Sequence, residues 1–262
     1  MTEEHKQFLV KLRRRKILTV SLQIGVLALF LGLWEIIAHF EIVDPFIISS
    51  PSRIVKIIIR LHEQNNLYQH IWATLYETML GFLISTFLGT LIAIILWWSN
   101  LIRDVAEPYL ITLNALPKIA LGPIIIIWAG AGKSAIITMA IMICIIITII
   151  SMLTGFVSVD KEKIMLLKSM RANKMQIFCK LVFPANFPTL ISVLKINVGL
   201  SWVGTIMGEY LVSREGIGYL IVYGSQVFQL DLVMASTVIL CILAALMYGA
   251  VALLEKFISK KF

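Results

Sequence analysis

The chain has 262 residues, a formal net charge of +8 and a mean hydropathy of +0.92, with 59% hydrophobic and 15% charged residues. Soluble domains carry about 25% charged residues, so the composition excludes an ordinary soluble protein and predicts an all-α polytopic membrane fold. Most cations flank apolar runs, where they set topology, so the positive charge is not a sign of nucleic-acid binding.

The chain opens on a basic segment, residues 1–16, with Lys11, Arg13, Arg14, Arg15 and Lys16 ahead of a first span over Ile17–Ala38. That run exceeds the roughly 7–15 apolar residues of a secretory signal, so it reads as an uncleaved span. Residues 39–70 follow as an outer loop. Within it, Ser49-Ser50-Pro51-Ser52 is a helix-start signal, and Ile54–Leu61 reads as a short amphipathic helix with Arg53, Lys56 and Arg60 on its polar side.

A second span runs over Ile71–Trp98. The third, Tyr109–Gly130, is interrupted by Pro117, Lys118 and Pro123. Pro and Gly free backbone carbonyls that must find partners in protein or water. This segment therefore reads either as a broken helix beside a solute path, with Asn114, Pro117 and Lys118 on it, or as a packing kink with Lys118 reaching the inner interface. The next residues, Ala129-Gly130-Ala131-Gly132-Lys133-Ser134, lack the first glycine of a phosphate-binding loop, whose position holds Ile127. They read as a tight turn into a fourth span, Ser134–Val159, which has no charge in 26 residues.

Residues 160–183 form a basic loop. It carries Lys161, Lys163, Lys168, Arg171, Lys174 and Lys180 together with Ile164, Met165, Leu166, Leu167, Met170, Ile177 and Phe178. Water does not favour so many exposed hydrophobes, so a cytosolic protein partner is expected to cover some. Met165, Leu166, Leu167 and Met170 recur at helical neighbour spacings, so a short helix is expected to present most of them to one groove. The fifth span is placed at Pro184–Met207 and carries Lys195 near mid-membrane, where an unpaired cation is costly. Glu77 or Glu35 is its expected partner, with a polar, anion-attracting cavity as the other reading. Trp202 lies in the same span and is expected on the solute path. Glu209, before Arg214-Glu215-Gly216-Ile217-Gly218, reads as an outer-gate residue or as an interfacial helix-end charge. The sixth span is Leu232–Leu254.

With the N-terminus inside, inner segments hold 16 cations and outer segments 5. That asymmetry predicts both termini in the cytoplasm. Cys144, Cys179 and Cys241 show no paired spacing, and no metal-ligand or catalytic set appears, so neither a metal nor a catalytic residue is expected.

Several stretches together resemble permease subunits of type I ABC importers of the nitrate/sulfonate/taurine group. They are Pro45-Phe46-Ile47-Ile48-Ser49-Ser50-Pro51, Leu116-Pro117-Lys118-Ile119-Ala120-Leu121-Gly122-Pro123, and Gly208-Glu209-Tyr210-Leu211 with Gly216-Ile217-Gly218-Tyr219-Leu220-Ile221. The resemblance covers the chain from about Trp34. The basic loop keeps the family's spacing to Pro184 and Pro188. It departs at the Glu-Ala-Ala positions, which are Met165, Leu166 and Leu167, and at the Gly position, which is Arg171. If the family's Gly takes a positive φ, Arg171 pays a steric penalty there.

The resemblance implies one permease domain over 1–262 that forms the solute path with a second permease subunit, expected to be an identical copy. Two cytosolic ATPase subunits would bind the loop through Met165, Leu166, Leu167, Ser169, Met170, Arg171, Ala172 and Asn173. An outer solute-binding protein would deliver a sulfonate, taurine, nitrate or a vitamin precursor. ATP and Mg would sit on the ATPase, and this chain would hold no cofactor and meet lipid. The alternative is a stand-alone secondary transporter or channel. The first often shows inverted repeats and the second a filter segment, and neither is visible in the sequence.

Overall fold

The computed structural model describes residues 3–64 and 66–258, and every described element is helical. Helix α1 spans Glu3–His39, α2 Pro45–Ile48, α3 Pro51–Glu63 and α4 Leu67–Trp98. Helix α5 spans Asn100–Ala115. A short 3₁₀ turn over Lys118–Leu121 leads into α6, Gly122–Ala129, and α7 runs over Lys133–Val157. Helices α8 (Lys161–Ser169) and α9 (Lys174–Ile177) form the basic loop. A π-helical turn over Phe178–Val182 and α10 (Phe183–Ala185) join it to α11, Phe187–Val212, which is followed by α12 (Ile217–Gln226) and α13 (Leu230–Ile258).

Among the described residues five helical stretches are long and apolar enough to cross a membrane: Arg13–His39, Leu67–Trp98, Lys133–Val157, Phe187–Val212 and Leu230–Phe257. Counted as one broken span, α5 with the Lys118–Ala129 segment, bent by 89°, makes six. The bend falls at Leu116-Pro117, where the restriction on the residue before proline keeps Leu116 extended. The fifth span runs on to Val212, five residues past its expected end, and starts at Phe187 rather than Pro184.

Helices α4, α7 and α11 pack most closely. Ala140 on α7 lies between Gly81 on α4 and Gly204 on α11. An added Cβ would come within 2.5 Å of Ala140 Cβ at Gly81 and of Ala140 Cα at Gly204. Small residues let backbones approach in this way where lipid offers no hydrophobic drive. The same three helices meet at Asn197, whose amide donates to Thr86 Oγ1 at 2.9 Å and to Thr148 Oγ1 at 2.8 Å.

Three apolar clusters complete the body. One, at the loop end, joins Ala93, Leu96, Met152, Phe156, Phe178 and Val182. A second, at the other end, joins Leu61, Leu67, Ile217, Leu220, Leu232 and Ile239. The third packs Phe82, Val198, Trp202, Met247 and Val251 between α4, α11 and α13. Helix α3 begins as expected: Pro51 is in its first turn, and the Ser50 hydroxyl accepts from Arg53 N. Arg53 pairs with Asp231 at 2.8 Å and so ties α3 to α13. Glu35 accepts from Ser52 N at 3.0 Å and ties α1 to α3.

Pro184 and Pro188 lie in an almost continuous helical path. Two local hydrogen bonds carry the path past the prolines. The π turn widens the ladder, with Phe183 N bonded to Phe178 O, and the Asn186 side chain donates to Val182 O at 2.8 Å.

Candidate functional site

The basic loop folds as a short helix standing on the first cluster. Asp160 caps α8 by accepting from Glu162 N at 2.9 Å. At its other end Arg171 takes a left-handed φ of 60°. Ala172 N donates to Leu167 O at 3.0 Å and Arg171 N to Lys168 O at 2.9 Å. These two bonds are the Schellman pattern, in which a left-handed residue ends the helix and glycine is the usual choice. Leu167 and Ala172 both pack against the cluster, which supplies the apolar contact that accompanies the motif. The Ser169 hydroxyl donates to Leu166 O. Asn173 then starts α9 with a capping box: its Oδ1 accepts from Gln176 N at 2.7 Å, and its N donates to Gln176 Oε1 at 2.8 Å.

The faces of α8 separate. Met165, Leu166 and Met170 are 69%, 61% and 71% exposed. Ile164 and Leu167 turn inward onto the cluster. Three of the four residues thus face outward together, and Leu167 is the one that turns inward. Positions 164 and 167 are neighbours on the helix, and the body claims that face. The outward set is smaller but remains apolar and large.

At the opposite end a buried carboxylate organises the segment after α11. Glu209 is 1% exposed, where the sequence offered an outer-gate residue or an interfacial helix-end charge. It is buried because α11 continues to Val212. Its Oε1 accepts from Thr74 Oγ1 at 2.6 Å and its Oε2 from Gly218 N at 2.5 Å. Thr74 also accepts from Ile217 N at 2.7 Å, and His70 Nδ1 accepts from Gly216 N at 2.9 Å. Three consecutive backbone N–H groups, at residues 216–218, are thus held by side chains of α4 and α11. Gly216 has a φ of 114°, and a Cβ there would lie within 2.5 Å of the Glu209 carboxyl, so only glycine suits the position. Glu77, fully buried, lies beside Glu209 and has no hydrogen-bond partner among the described residues.

Outside this knot, Glu215 bonds Lys133 at 2.8 Å and Gln69 at 3.1 Å. The Lys133 hydrogen bond, with help from Gln69, holds the Glu215 carboxyl below the usual carboxylate range. The glycine turn before Lys133 is a turn, with Gly130 and Gly132 at positive φ.

The remaining expected residues scatter. Lys195 pairs with Glu255 on α13 at 2.6 Å. This corrects the expected partners, since Glu35 holds Ser52 and Glu77 lies by Glu209. Glu255 is three residues from the end of α13, so Lys195 sits towards the loop end rather than at mid-membrane. Trp202 is buried in the third cluster. Lys118 donates to Asn114 O at 3.0 Å across the break, and Asn114 and Pro117 are exposed. Thr74, His70, Asn197 and Glu255 were missed, and Glu77 was named only as a partner for Lys195. A signal for some of them was present: Asn197, Ser201, Thr205 and Glu209 recur every four residues along one apolar span, which places polar groups on one helix face. Among the described residues no group of three His, Cys, Asp or Glu side chains could hold a metal.

The family profile described as "Binding-protein-dependent transport system inner membrane component" matches residues 85–260. A probable ABC transporter permease protein of Haemophilus influenzae is 28% identical over 93% of this chain and 98% of its own length. The formylaminopyrimidine transport permease protein ThiX of Halalkalibacterium halodurans is 29% identical over 85% of this chain and 88% of its own. A crystal structure of a bacterial ABC transporter involved in import of the acidic polysaccharide alginate superposes with a TM-score of 0.67 at 14% identity, covering 95% of this chain and 99% of that one.

Proposed function

We propose a division of labour within a chain that belongs to the family of binding-protein-dependent transport system inner membrane components and is a transmembrane permease subunit of an ABC importer. In this reading Lys161–Asn173 is the ATPase-docking element. The carrying observation is the two-faced α8: Ile164 and Leu167 fix it to the permease, while Met165, Leu166 and Met170 face outward, largely uncovered by the described residues. Arg171, Ala172 and Asn173 set the helix end and the start of α9. Burial of three such side chains contributes several kcal/mol, at about 1.5–3 each before ordering costs.

Two identical copies form the path, each with an ATPase below that carries ATP and Mg. A solute-binding protein docks outside, both termini are cytoplasmic, and lipid surrounds the spans. The positive-inside asymmetry of 16 cations to 5 supports the orientation. Asn114, Pro117 and Lys118, on the bent and outward-facing third span, line the path between the copies. Lys195, Trp202 and Glu209 act from behind it, through packing and hydrogen bonds. The solute is a small organic molecule. A vitamin precursor of the aminopyrimidine class comes first, because a relative carries formylaminopyrimidine in its name, and sulfonates follow.

Co-purification of the cognate ATPase tests the docking element. Leu166→Asp and Met170→Asp should each release the ATPase or uncouple ATP hydrolysis from transport, because a charge would be buried in an apolar groove. Wild-type assembly and transport in both variants would place the docking surface elsewhere. Binding of formylaminopyrimidine and of taurine to the cognate solute-binding protein would sort the solute class.

A further inference from the structure

A cavity of about 560 Å³ lies between α8 and the body, at the membrane boundary. Its lining includes Arg103, Lys161, Lys168 and Lys174. Lys161, Ile164 and Lys168 fall on one face of α8, opposite Leu166 and Met170. Lys174 is engaged, donating to Trp98 O at 2.5 Å and lying 5.4 Å from the Trp97 ring centre. Arg103 bonds Asp104 at 3.2 Å. Among the described residues neither Lys161 nor Lys168 has a carboxylate within ion-pair distance.

A second cavity of about 610 Å³ adjoins the first and shares Arg103 and Val157 with it. It runs between α5 and α7 and is walled by Leu110, Ile111, Ile150 and Leu153, with Asp104 and Glu107 at its border. A basic cavity thus lies beside a mainly apolar one. Basic pockets between membrane helices at a leaflet surface bind lipid phosphate head groups.

We infer that the basic cavity binds a phosphate group, and that the apolar cavity beside it matches the acyl chain of an anionic phospholipid. The phosphate sits against Lys161, Lys168 and the free edge of Arg103. The lipid thereby braces α8 from the side opposite its exposed apolar face. This inference needs only a membrane-embedded chain and stands whether or not α8 docks an ATPase.

The test uses the full-length chain in nanodiscs holding equal amounts of dioleoyl phosphatidylglycerol and dioleoyl phosphatidylcholine. The chain is released in detergent, and retained lipid is weighed by native mass spectrometry. Phosphatidylglycerol should be enriched about ten-fold, because phosphatidylcholine carries the same phosphate together with a choline cation that the basic cavity repels. The double variant Lys161→Gln/Lys168→Gln should bring the ratio to near one. Lys168→Arg, which keeps the charge, should preserve the enrichment and guards against a folding defect. Lys163→Gln removes the same charge from α8 outside the cavity and should leave the ratio unchanged.

Millimolar inorganic phosphate separates the sources. If it cannot displace the lipid, the occupant is phospholipid. If it displaces the lipid fully and shifts the unfolding midpoint by itself, the phosphate site stands with a soluble occupant. No preference for phosphatidylglycerol and no effect of phosphate would overturn the inference. So would an equal loss of enrichment in Lys163→Gln, which would show diffuse surface charge. Release of the lipid by saturating ATPase would overturn it too, by giving the cavity to an acidic protein side chain.

Discussion

The two ends of the helix bundle are held by different forces. At the loop end Phe178 is ringed by Trp97, Trp98, Phe156 and Phe183, with ring centres 5.1–6.3 Å apart. Dispersion and offset ring contacts are non-directional or only loosely directional, so the set tolerates changes of shape that keep volume. At the opposite end Glu209, Thr74 and His70 hold three backbone N–H groups by directed hydrogen bonds. A buried donor left without its acceptor costs its whole desolvation, so this end tolerates changes of size better than changes of chemistry. The contrast separates a region where sequence can drift from one where it cannot.

The sharpest way to break this comparison is deletion at the apolar end. Phe178→Ala should lower stability by about 3–5 kcal/mol, seen as a large fall in the thermal midpoint of the detergent-solubilised chain. Next comes a change of chemistry without change of size. Glu209→Gln offers one acceptor where two are used and should cost roughly 1–3 kcal/mol. Phe178→Leu, by contrast, should cost less than about 1.5 kcal/mol. If Glu209→Gln proved milder than Phe178→Leu, the contrast between the ends would fail.

Smaller again is Arg171→Gly. The left-handed backbone costs a non-glycine residue about 1–2 kcal/mol, part of which returns as unfolded-state entropy. A gain of up to about 1 kcal/mol is expected, with the loop conformation unchanged; a loss would mean the Arg171 side chain supplies a compensating contact. The smallest effect is at Glu215. Its folded pKa lies below the ordinary value of about 4.5. Its contribution is therefore complete above that value and is lost as pH falls through the folded pKa. The pair with Lys133 is partly exposed, so the loss should stay below about 1 kcal/mol. A titration of unfolding midpoint from neutral pH to below 4.5 should show a small acid-side drop in the wild type that is absent in Glu215→Gln.

Span number, the break at Pro117 and the glycine turn before Lys133 were legible in the sequence, because each follows from local chemistry along the chain. The α3 start at Ser50-Pro51 was legible for the same reason. Pairings across the bundle were not. Lys195 and Glu255 are 60 residues apart, and no hydropathy window says which helices touch. Glu209 was open between a gate and an interfacial charge because the end of α11 was placed at Met207; five further residues bury the carboxyl. Which of the four apolar residues of α8 turns inward, Leu167, was not legible, because helical spacing groups residues into faces without saying which face the body takes. Arg171 went the other way. The conditional penalty read from the family's glycine position corresponds to a real left-handed φ of 60°.

The wide turn over Phe178–Val182 acts as a phase buffer. It places one more residue in the turn than an α-helix would, and each residue corresponds to about 100° of rotation. Deleting a single residue within 178–182 would let the path close into regular α-helix with α8 facing nearly as it does, because the wide turn completes one revolution with a residue to spare. Deleting one from the regular first turns of α11, which hold no spare residue, would swing Met165, Leu166 and Met170 by about 100° around its axis, so the compass bearing of the exposed apolar face is written in chain length rather than in residue type.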